Sequence, residues 1–423
     1  MIVSNPCISD ARVLKTARAA REAGYDVHVF ATIGPNTSPY ERVNGIIFHR
    51  LDWRPGQIMT ANGLLGLLNR MSRKLTGALV RRLVPFVKYR LFSRVFAEHI
   101  AAIKPDIVHA NDLICLPAGS DAARLCGAKL VYDAHELEIH RNPPLPIVQK
   151  LFVGYTEARY GRQADAVITV GRLVGQELAK HLKRSDIHVI YNSPIIEKCH
   201  RHIRQDLQLA EECFLIIYVG KVTTGRGVGE VLALLPKLSG VTFATVGSCD
   251  DKTRTILESQ AERLDIAQRF RILPAVPFEQ VVDYIRGADL GVISVEPVTL
   301  SYQYCMPNKL FEMAFADVPI ISNKLDEIEE FLKDNENGEI ADFLDGTALT
   351  YKIYRMLHEK AKYQMTKTRM DAMASQYSWG TQCAHLSTLY HDLCAKSARL
   401  QFDKRPGQEA VDAPPFQHES AHF

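Results

Sequence analysis

The sequence predicts an α/β protein of two domains, each organised around a parallel sheet. Three observations carry this. The chain opens strand–helix–strand within residues 1–30, a pattern that favours parallel pairing through right-handed crossovers. Residues 213–238 (CFLIIYVGKVTTGRGVGEVLALLPKL) restart the theme with an apolar strand, a glycine-rich loop and a helix. The 423 residues exceed one ordinary domain and fit two of roughly 200 each. An apolar content of 47% with 23% charge suits a globular chain with sizeable cores.

The elements follow in order. IVSN reads as a short strand. DARVLKTARAAREAG is a helix with Asp10 as N-cap, apolar residues at helical spacing (Val13, Leu14, Ala17, Ala20, Ala23) and Gly24 at C′. YDVHVFATIG is the next strand, and residues 40–52 form a hairpin turning at Asn44-Gly45. Strands are expected in KPDIVHANDLICLPAG (104–119) and KLVYDAHELE (129–138), each followed by a loop, then in 161–178 and 186–194. The polar, proline-bearing segment from Asn192 marks the linker, which divides the chain into 1–193 and 194–375. The second domain continues with strands at 240–248 and within 269–295, then the stretch SVEPVTLSYQYCMPNKLFEMAFADVPIIS (294–322) as strand end, loop, helix and strand, then helices around 346–373. Residues 376–396 are a closing helix, and 401–423, polar and proline-rich without periodicity, are expected to be disordered.

Composition excludes several classes. The nine cysteines show no CxxC spacing and read as buried thiols of a reducing compartment, so no metal site is implied. MIVSNPCISD lacks the basic start and apolar run of a signal peptide. No apolar run of about 18 residues is present, so no spanning helix is expected. Charge is uneven: residues 53–97 hold nine Lys or Arg and no Asp or Glu, in a chain of net +3. Within them Leu75, Leu79, Leu83 and Phe86 follow helical spacing, while Lys74, Arg81 and Lys88 recur on another face. This reads as a basic amphipathic helix, bent near Pro85, suited to an anionic membrane surface. No aromatic stacking platform or recognition motif accompanies the charge, which argues against nucleic acid.

Chemistry-bearing residues gather at strand C-terminal ends, where an open parallel sheet forms its crevice. In the first half these are His109, Asp112, Asp133, His135 and Glu136; polar residues are also ordinary there, and His109 reads as structural. In the second half, GKVTTGRG approaches a P-loop but carries Arg226-Gly227 where Lys-Ser/Thr is required, so a P-loop is rejected. The helix opening near Asn308, taken as its N-cap, is apolar nearly all round yet contains Glu312. A carboxylate there needs a partner: either Lys309 at i,i+3, or the hydroxyls of a bound diol, with phosphates held at the helix start.

PNKLFEMAFADVPII resembles the donor-site signature of retaining family 4 glycosyltransferases, which share the GT-B fold. The resemblance implies two Rossmann-like domains facing across a cleft, with the closing helix crossing back onto the first. It implies a nucleotide-diphosphate sugar as donor and a glycan or lipid-linked acceptor, as in bacterial surface polysaccharide or glycolipid biosynthesis, with no cofactor. Carried over residue by residue, Glu312 binds the ribose, Pro307, Asn308 and Lys309 line the diphosphate loop, and Lys221 and Arg226, beside Gly220, hold the diphosphate. Leu273 falls where the family meets the base through backbone, and His135 in YDAHE beside the donor sugar. Asp10 and Arg12 match an Asp-x-Arg at the first helix, although the family's glycine pair is missing. The family often has a second Glu eight positions before the first; here that position is Tyr304, and Glu296 is a candidate substitute for the sugar contact, with Asp112 a further candidate. No Asp-x-Asp triplet occurs, so cationic side chains are expected in place of a metal. A nucleotide-sugar epimerase and a non-catalytic partner subunit are the alternatives. The expected location is cytoplasmic, peripheral at the inner face of the plasma membrane.

Overall fold

The computed structural model describes residues 1–53, 77–223 and 225–402, with side chains from 89 and up to 395. Most of the acid-free stretch, including its apolar and basic helical pattern, lies outside the described side chains, and 403–423 of the expected disordered tail lies outside the described residues.

The first domain contains α1 (Ala11–Glu22), β1 (His28–Thr32), β2 (Tyr40–Val43), β3 (Ile46–Leu51), α2 (Gly77–Ala102), β4 (Ile107–Asn111), α3 (Asp112–Cys126), β5 (Lys129–Ala134), α4 (Ile147–Gly161), β6 (Ala166–Thr169), α5 (Arg172–Leu182) and β7 (Ile187–Val189). Two strand sets, β1-β3-β2 and β4-β5-β6-β7, are joined at the first residues of the chain. Ile2 bridges Phe30 on one side and Ala110 on the other, both parallel. The expected strand IVSN is thus a single bridging residue, yet it occupies the sheet's seam. Among the described strands only β2 runs antiparallel, through the hairpin whose turn residues Asn44 (φ 50) and Gly45 (φ 79) are both left-handed, as a type I′ turn requires.

The second domain contains α6 (Ile203–Asp206), β8 (Phe214–Val219), α7 (Val228–Leu234), β9 (Val241–Val246), α8 (Asp251–Arg263), β10 (Phe270–Leu273), α9 (Val281–Ile285), β11 (Leu290–Ile293), α10 (Leu300–Gln303), α11 (Asn308–Phe315), β12 (Ile320–Ser322), α12 (Asp326–Asn335) and β13 (Gly338–Ile340), then α13 (Gly346–His358), α14 (Lys360–Tyr363) and α15 (Lys367–Tyr377). Its sheet is parallel throughout, in the order β10-β9-β8-β11-β12-β13. The order reverses between β8 and β11, so the loops after these strands open the crevice where such sheets take ligands.

The closing helix α16 (Trp379–Phe402) returns to the first domain. Leu386, Leu389, Tyr390 and Leu393 are buried against Val13, Ala17, Ala20 and Val29. Each leucine removed from water this way contributes about 1.5–3 kcal/mol, enough to fix the crossover. The nine cysteines are all free thiols, but only Cys7 and Cys115 are buried; the other seven are half-buried, less enclosed than their apolar neighbours in sequence suggest.

Candidate functional site

A cleft of about 450 Å³ lies between the domains. Asp10, Arg12, His135 and Glu136 line it from the first domain, and Tyr302 and Asn308 from the second. The crevices of both sheets therefore face one another.

The first-domain wall is built on one buried charge. Arg12 on α1 grips Asp133, at the end of β5, through Nε to Oδ2 at 2.9 Å and Nη2 to Oδ1 at 2.6 Å, and donates from Nη1 to the Ile190 carbonyl at 2.9 Å. Burial disfavours the Asp133 carboxylate, but Arg12, with His135 and His109, holds its pKa well below the usual range. His109 Nε2 stands 3.4 Å from Asp133 Oδ2, and its Nδ1 lies 2.6 Å from the Tyr390 hydroxyl on α16. Burial lowers the His109 pKa, so the neutral ring donates from Nε2 to Asp133 and accepts the Tyr390 O–H at Nδ1. His109 is therefore structural.

His135 sits between two carboxylates, with Nδ1 3.2 Å from Asp112 Oδ1 and Nε2 3.4 Å from Asp133 Oδ2. Burial opposes its charge, but Asp112 and Asp133 overcome this and raise its pKa to about 10. At neutral pH His135 is an imidazolium at the cleft wall. Asp112 adopts φ +61 at the start of α3, a left-handed conformation that Asp and Asn tolerate best among residues with a Cβ.

The second-domain wall runs from Ser301 to Asn308, into the start of α11, and the loop after β8 adjoins it where Arg226 meets Tyr302. Gly220 has φ +108 and Gly227 φ +75; a Cβ on Gly227 would lie 2.3 Å from Ser294 Cβ at the end of β11, so only glycine lets the loop close onto the switch point. Arg226 lies over the Tyr302 ring, 5.3 Å from its centroid, with Nη2 3.3 Å from the hydroxyl. Lys221 is exposed. Lys309, only 9% exposed, sets Nζ 3.6 Å above the Tyr218 ring, and a Cβ on Gly220 would meet that ammonium at 3.7 Å. Burial and then Arg226 lower the Lys309 pKa to about 7. Glu312 is half-buried; burial raises its pKa to about 7 against the pull of Lys15 and Lys309. Lys15, on α1, donates to the carbonyls of Ser193 (2.5 Å) and Asn192 (3.3 Å), and burial and then Arg12 lower it to about 7. Three ionisable groups from two domains thus titrate close to neutrality around one crevice.

Of the sequence-predicted residues, Asp10, Arg12, His135, Pro307 and Asn308 line the cleft, Asp112 stands behind His135, and Arg226 reaches the cleft residue Tyr302. Pro307, not Asn308, is the N-cap of α11; Asn308 is its first residue. Lys309 makes no ion pair within 4 Å of Glu312 among the described residues, because its ammonium turns to Tyr218 and Gly220 instead. Arg12 borders the cleft, but its guanidinium is committed to Asp133 and Ile190, which leaves it a positioning role. Asp10 lines the cleft while capping α1 through Val13 N–H at 3.2 Å. Glu296 is exposed on the loop after β11 and is not among the residues lining the cleft. Tyr304, half-buried, ends α10, and Leu273, also half-buried, ends β10, where its carbonyl accepts from Gly247 N–H at 3.2 Å.

Sequence reasoning missed Lys15, Tyr302, Asn192 and Glu327. Lys15 stood in the sequence as a cation beside the apolar face of α1, a weak signal. Asn192 lines the cleft, and its Oδ1 has no hydrogen-bond partner among the described residues. Glu327, on α12, reaches across the domain boundary and accepts the Leu173 N–H at the start of α5 at 2.8 Å, where a free helix N–H favours an anion.

Comparisons with known proteins agree with this geometry. Residues 11–193 match the Glycosyltransferase Family 4 model, and residues 213–359 match Glycosyl transferases group 1. The chain is 23% identical over 408 residues to a D-inositol 3-phosphate glycosyltransferase of Thermobifida fusca, covering 90% of this chain and 87% of that protein. It is 23% identical over 253 residues to a lipopolysaccharide 1,2-N-acetylglucosaminetransferase of Salmonella typhimurium, covering 56% and 65%. Among solved structures, a sucrose-phosphate synthase from Thermosynechococcus elongatus superposes with TM-score 0.70 at 16% identity, covering 93% and 98% of the two chains. HepE of Anabaena, in complex with UDP and glucose, superposes with TM-score 0.63 at 15% identity over 93% and 98%. These likenesses identify the fold as two Rossmann-like domains facing across a cleft.

Proposed function

Because the chain belongs to the family 4 and group 1 glycosyltransferases, we propose that it transfers a hexosyl group, with retention, from a nucleotide-diphosphate sugar to a glycan or lipid-linked acceptor in bacterial surface polysaccharide or glycolipid biosynthesis. The observation that carries this is the cluster of Arg226, Lys309 and Glu312 at the switch point of the second sheet, which adjoins the cleft lined by His135 through Tyr302 and Asn308. Arg226 and Lys221 stabilise the departing diphosphate, together with the backbone N–H groups at the start of α11. An incoming diphosphate restores full charge to Lys309, whose pKa is only about 7 in its buried setting. Glu312 accepts the ribose hydroxyls, and Leu273 meets the base through its backbone. His135, its imidazolium held between Asp112 and Asp133, lies beside the transferred sugar as charge builds in an oxocarbenium-like transition state. Retention follows from front-face attack in which the leaving phosphate takes the acceptor's proton, with cationic side chains rather than a metal or other cofactor serving the diphosphate. Asp10, Asp112 and Tyr304 are the candidates for acceptor and sugar contacts.

The same reading places the protein at the inner face of the plasma membrane, held through the nine cations of residues 53–97, each contributing about 1 kcal/mol beside an anionic leaflet. Among the described residues no helix is long and apolar enough to cross a membrane. A thermal-shift panel of UDP-, GDP-, ADP- and TDP-sugars tests the donor: the true one raises the melting temperature by mass action. Product analysis without acceptor separates transfer from epimerisation. Failure of every donor to shift melting or release sugar would refute the reading.

A further inference from the structure

Among the described residues, helix α4 (Ile147–Gly161) carries an exposed apolar stripe. Ile147 is 69% exposed, Val148 42%, Leu151 67% and Tyr155 63%. The spacing 147, 151, 155 puts three of them on one helical face, while Val153 and Thr156 on another face are buried in the domain. Exposed Pro143, Pro144 and Pro146 lead into the stripe. A contiguous patch of large apolar side chains marks an interaction site rather than ordinary surface.

Charge selects the occupant. Residues 139–156 contain no Asp or Glu, and hold Arg141 and Lys150. The stripe also adjoins the longer acid-free stretch: Tyr89 on α2 packs edge-to-face on Phe152 of α4, with ring centroids 5.7 Å apart, and Arg90 and Arg94, just beyond Tyr89, are exposed. An apolar ridge ending in tyrosine, with Lys150, Arg90 and Arg94 beside it against one exposed carboxylate, Glu98 on α2, matches the headgroup–acyl boundary of an anionic bilayer.

We propose that α4 inserts its Ile147–Leu151–Tyr155 ridge into an anionic membrane surface, as the apolar half of a docking face whose basic half holds Arg90 and Arg94 of α2. The inference rests on the membrane reading above and deepens it. The segment from His135 to Pro146 leads from the cleft to this ridge, and its Leu137 N–H donates to Ser301 Oγ across the cleft at 3.3 Å. Docking on α4 therefore holds the cleft's rim beside the bilayer, where a lipid-linked acceptor's headgroup is presented.

The test is co-sedimentation of the full chain with vesicles of phosphatidylcholine alone or mixed with phosphatidylglycerol, at about 0.1 M and about 0.5 M salt. The parent should bind the anionic vesicles, and part of the binding should survive high salt. Leu151→Ser with Tyr155→Ser should lower the salt-resistant partitioning about tenfold or more, by removing two large apolar groups from the interface. Its donor-induced melting shift should match the parent's, which controls for folding. A variant that partitions like the parent overturns the role of α4 and leaves the membrane reading standing. A parent that binds no vesicle overturns the membrane reading and this inference together. Sedimentation velocity that finds the parent self-associated through α4, and the variant monomeric, would assign the stripe to a second copy and overturn lipid as its occupant.

Discussion

Replacing Asp112 by Asn tests the imidazolium at the cleft wall. Asn tolerates the left-handed φ of +61 at this position about as well as Asp, so the change removes charge while keeping the backbone. His135 rises from 6.5 to about 10 in the folded chain. That climb of about 3.5 pH units corresponds to on the order of 5 kcal/mol between its two protonation states. Asp112 and Asp133 supply it against burial, at 3.2 and 3.4 Å. The Asp112 side chain is 37% exposed and Asp133's only 2%, so solvent screens the Asp112 share, which we set at about 2 kcal/mol, or about 1.5 pH units. The His135 titration midpoint in Asp112→Asn should then fall to about 8.5, read from the imidazole proton shifts by NMR. Because the folded pKa is raised, the pair's stabilisation is complete below 6.5 and is lost as pH rises through about 10. The variant should therefore be less stable than the parent by about 2 kcal/mol near pH 6, with the difference fading toward pH 10. A parent His135 that titrates near 6.5, or a variant midpoint unchanged from the parent's, would refute the ion-pair reasoning.

Three further outcomes are expected. Glu312→Ala should weaken nucleotide-sugar binding by about 1–3 kcal/mol, as hydrogen bonds to a charged group are lost; calorimetry with the donor that passes the thermal screen checks this, and unchanged affinity removes Glu312 from the site. Arg226→Ala should lower kcat more than it raises KM, because leaving-group charge is greatest in the transition state; an equal effect on ground-state binding would return Arg226 to simple anchoring. Tyr390→Phe should cost about 1–3 kcal/mol of stability by orphaning buried His109 Nδ1, measured by urea unfolding, and an unaltered midpoint would mean that the crossover helix is held by its leucines alone.

How much was legible in the sequence depended on how local the physics was. The hairpin at Asn44-Gly45, the N-cap at Asp10 and the glycine-rich loop after β8 rest on backbone preferences of one to four residues, and each stands where the pattern put it. The crevice of the second sheet was legible because apolar strands ending in Gly, Lys and Arg are read one strand at a time. Of the two readings offered for Glu312, the i,i+3 pair with Lys309 does not form, since spacing says nothing of the Tyr218 face that captures the ammonium. Glu296 looked available because it is acidic and near the signature in sequence, whereas the loop turns it to solvent.

The sequence by itself determined the two-domain α/β architecture, the parallel pairing and the residue types of the glycine-rich loop after β8, while the crossover of the last helix came from the family resemblance. Hydrophobic periodicity and turn chemistry act within a few residues, although the fold shortened IVSN to one bridging residue and moved the cap of α11 to Pro307. Only the tertiary structure decided which charges meet. Arg12 and Asp133 are 121 positions apart, Leu173 and Glu327 are 154 apart, and Lys15 and Glu312 belong to different domains yet shift one another's pKa. Such pairs carry no local signature, since their energy comes from shared burial, and burial exists only once both sheets, the linker and α16 are in place.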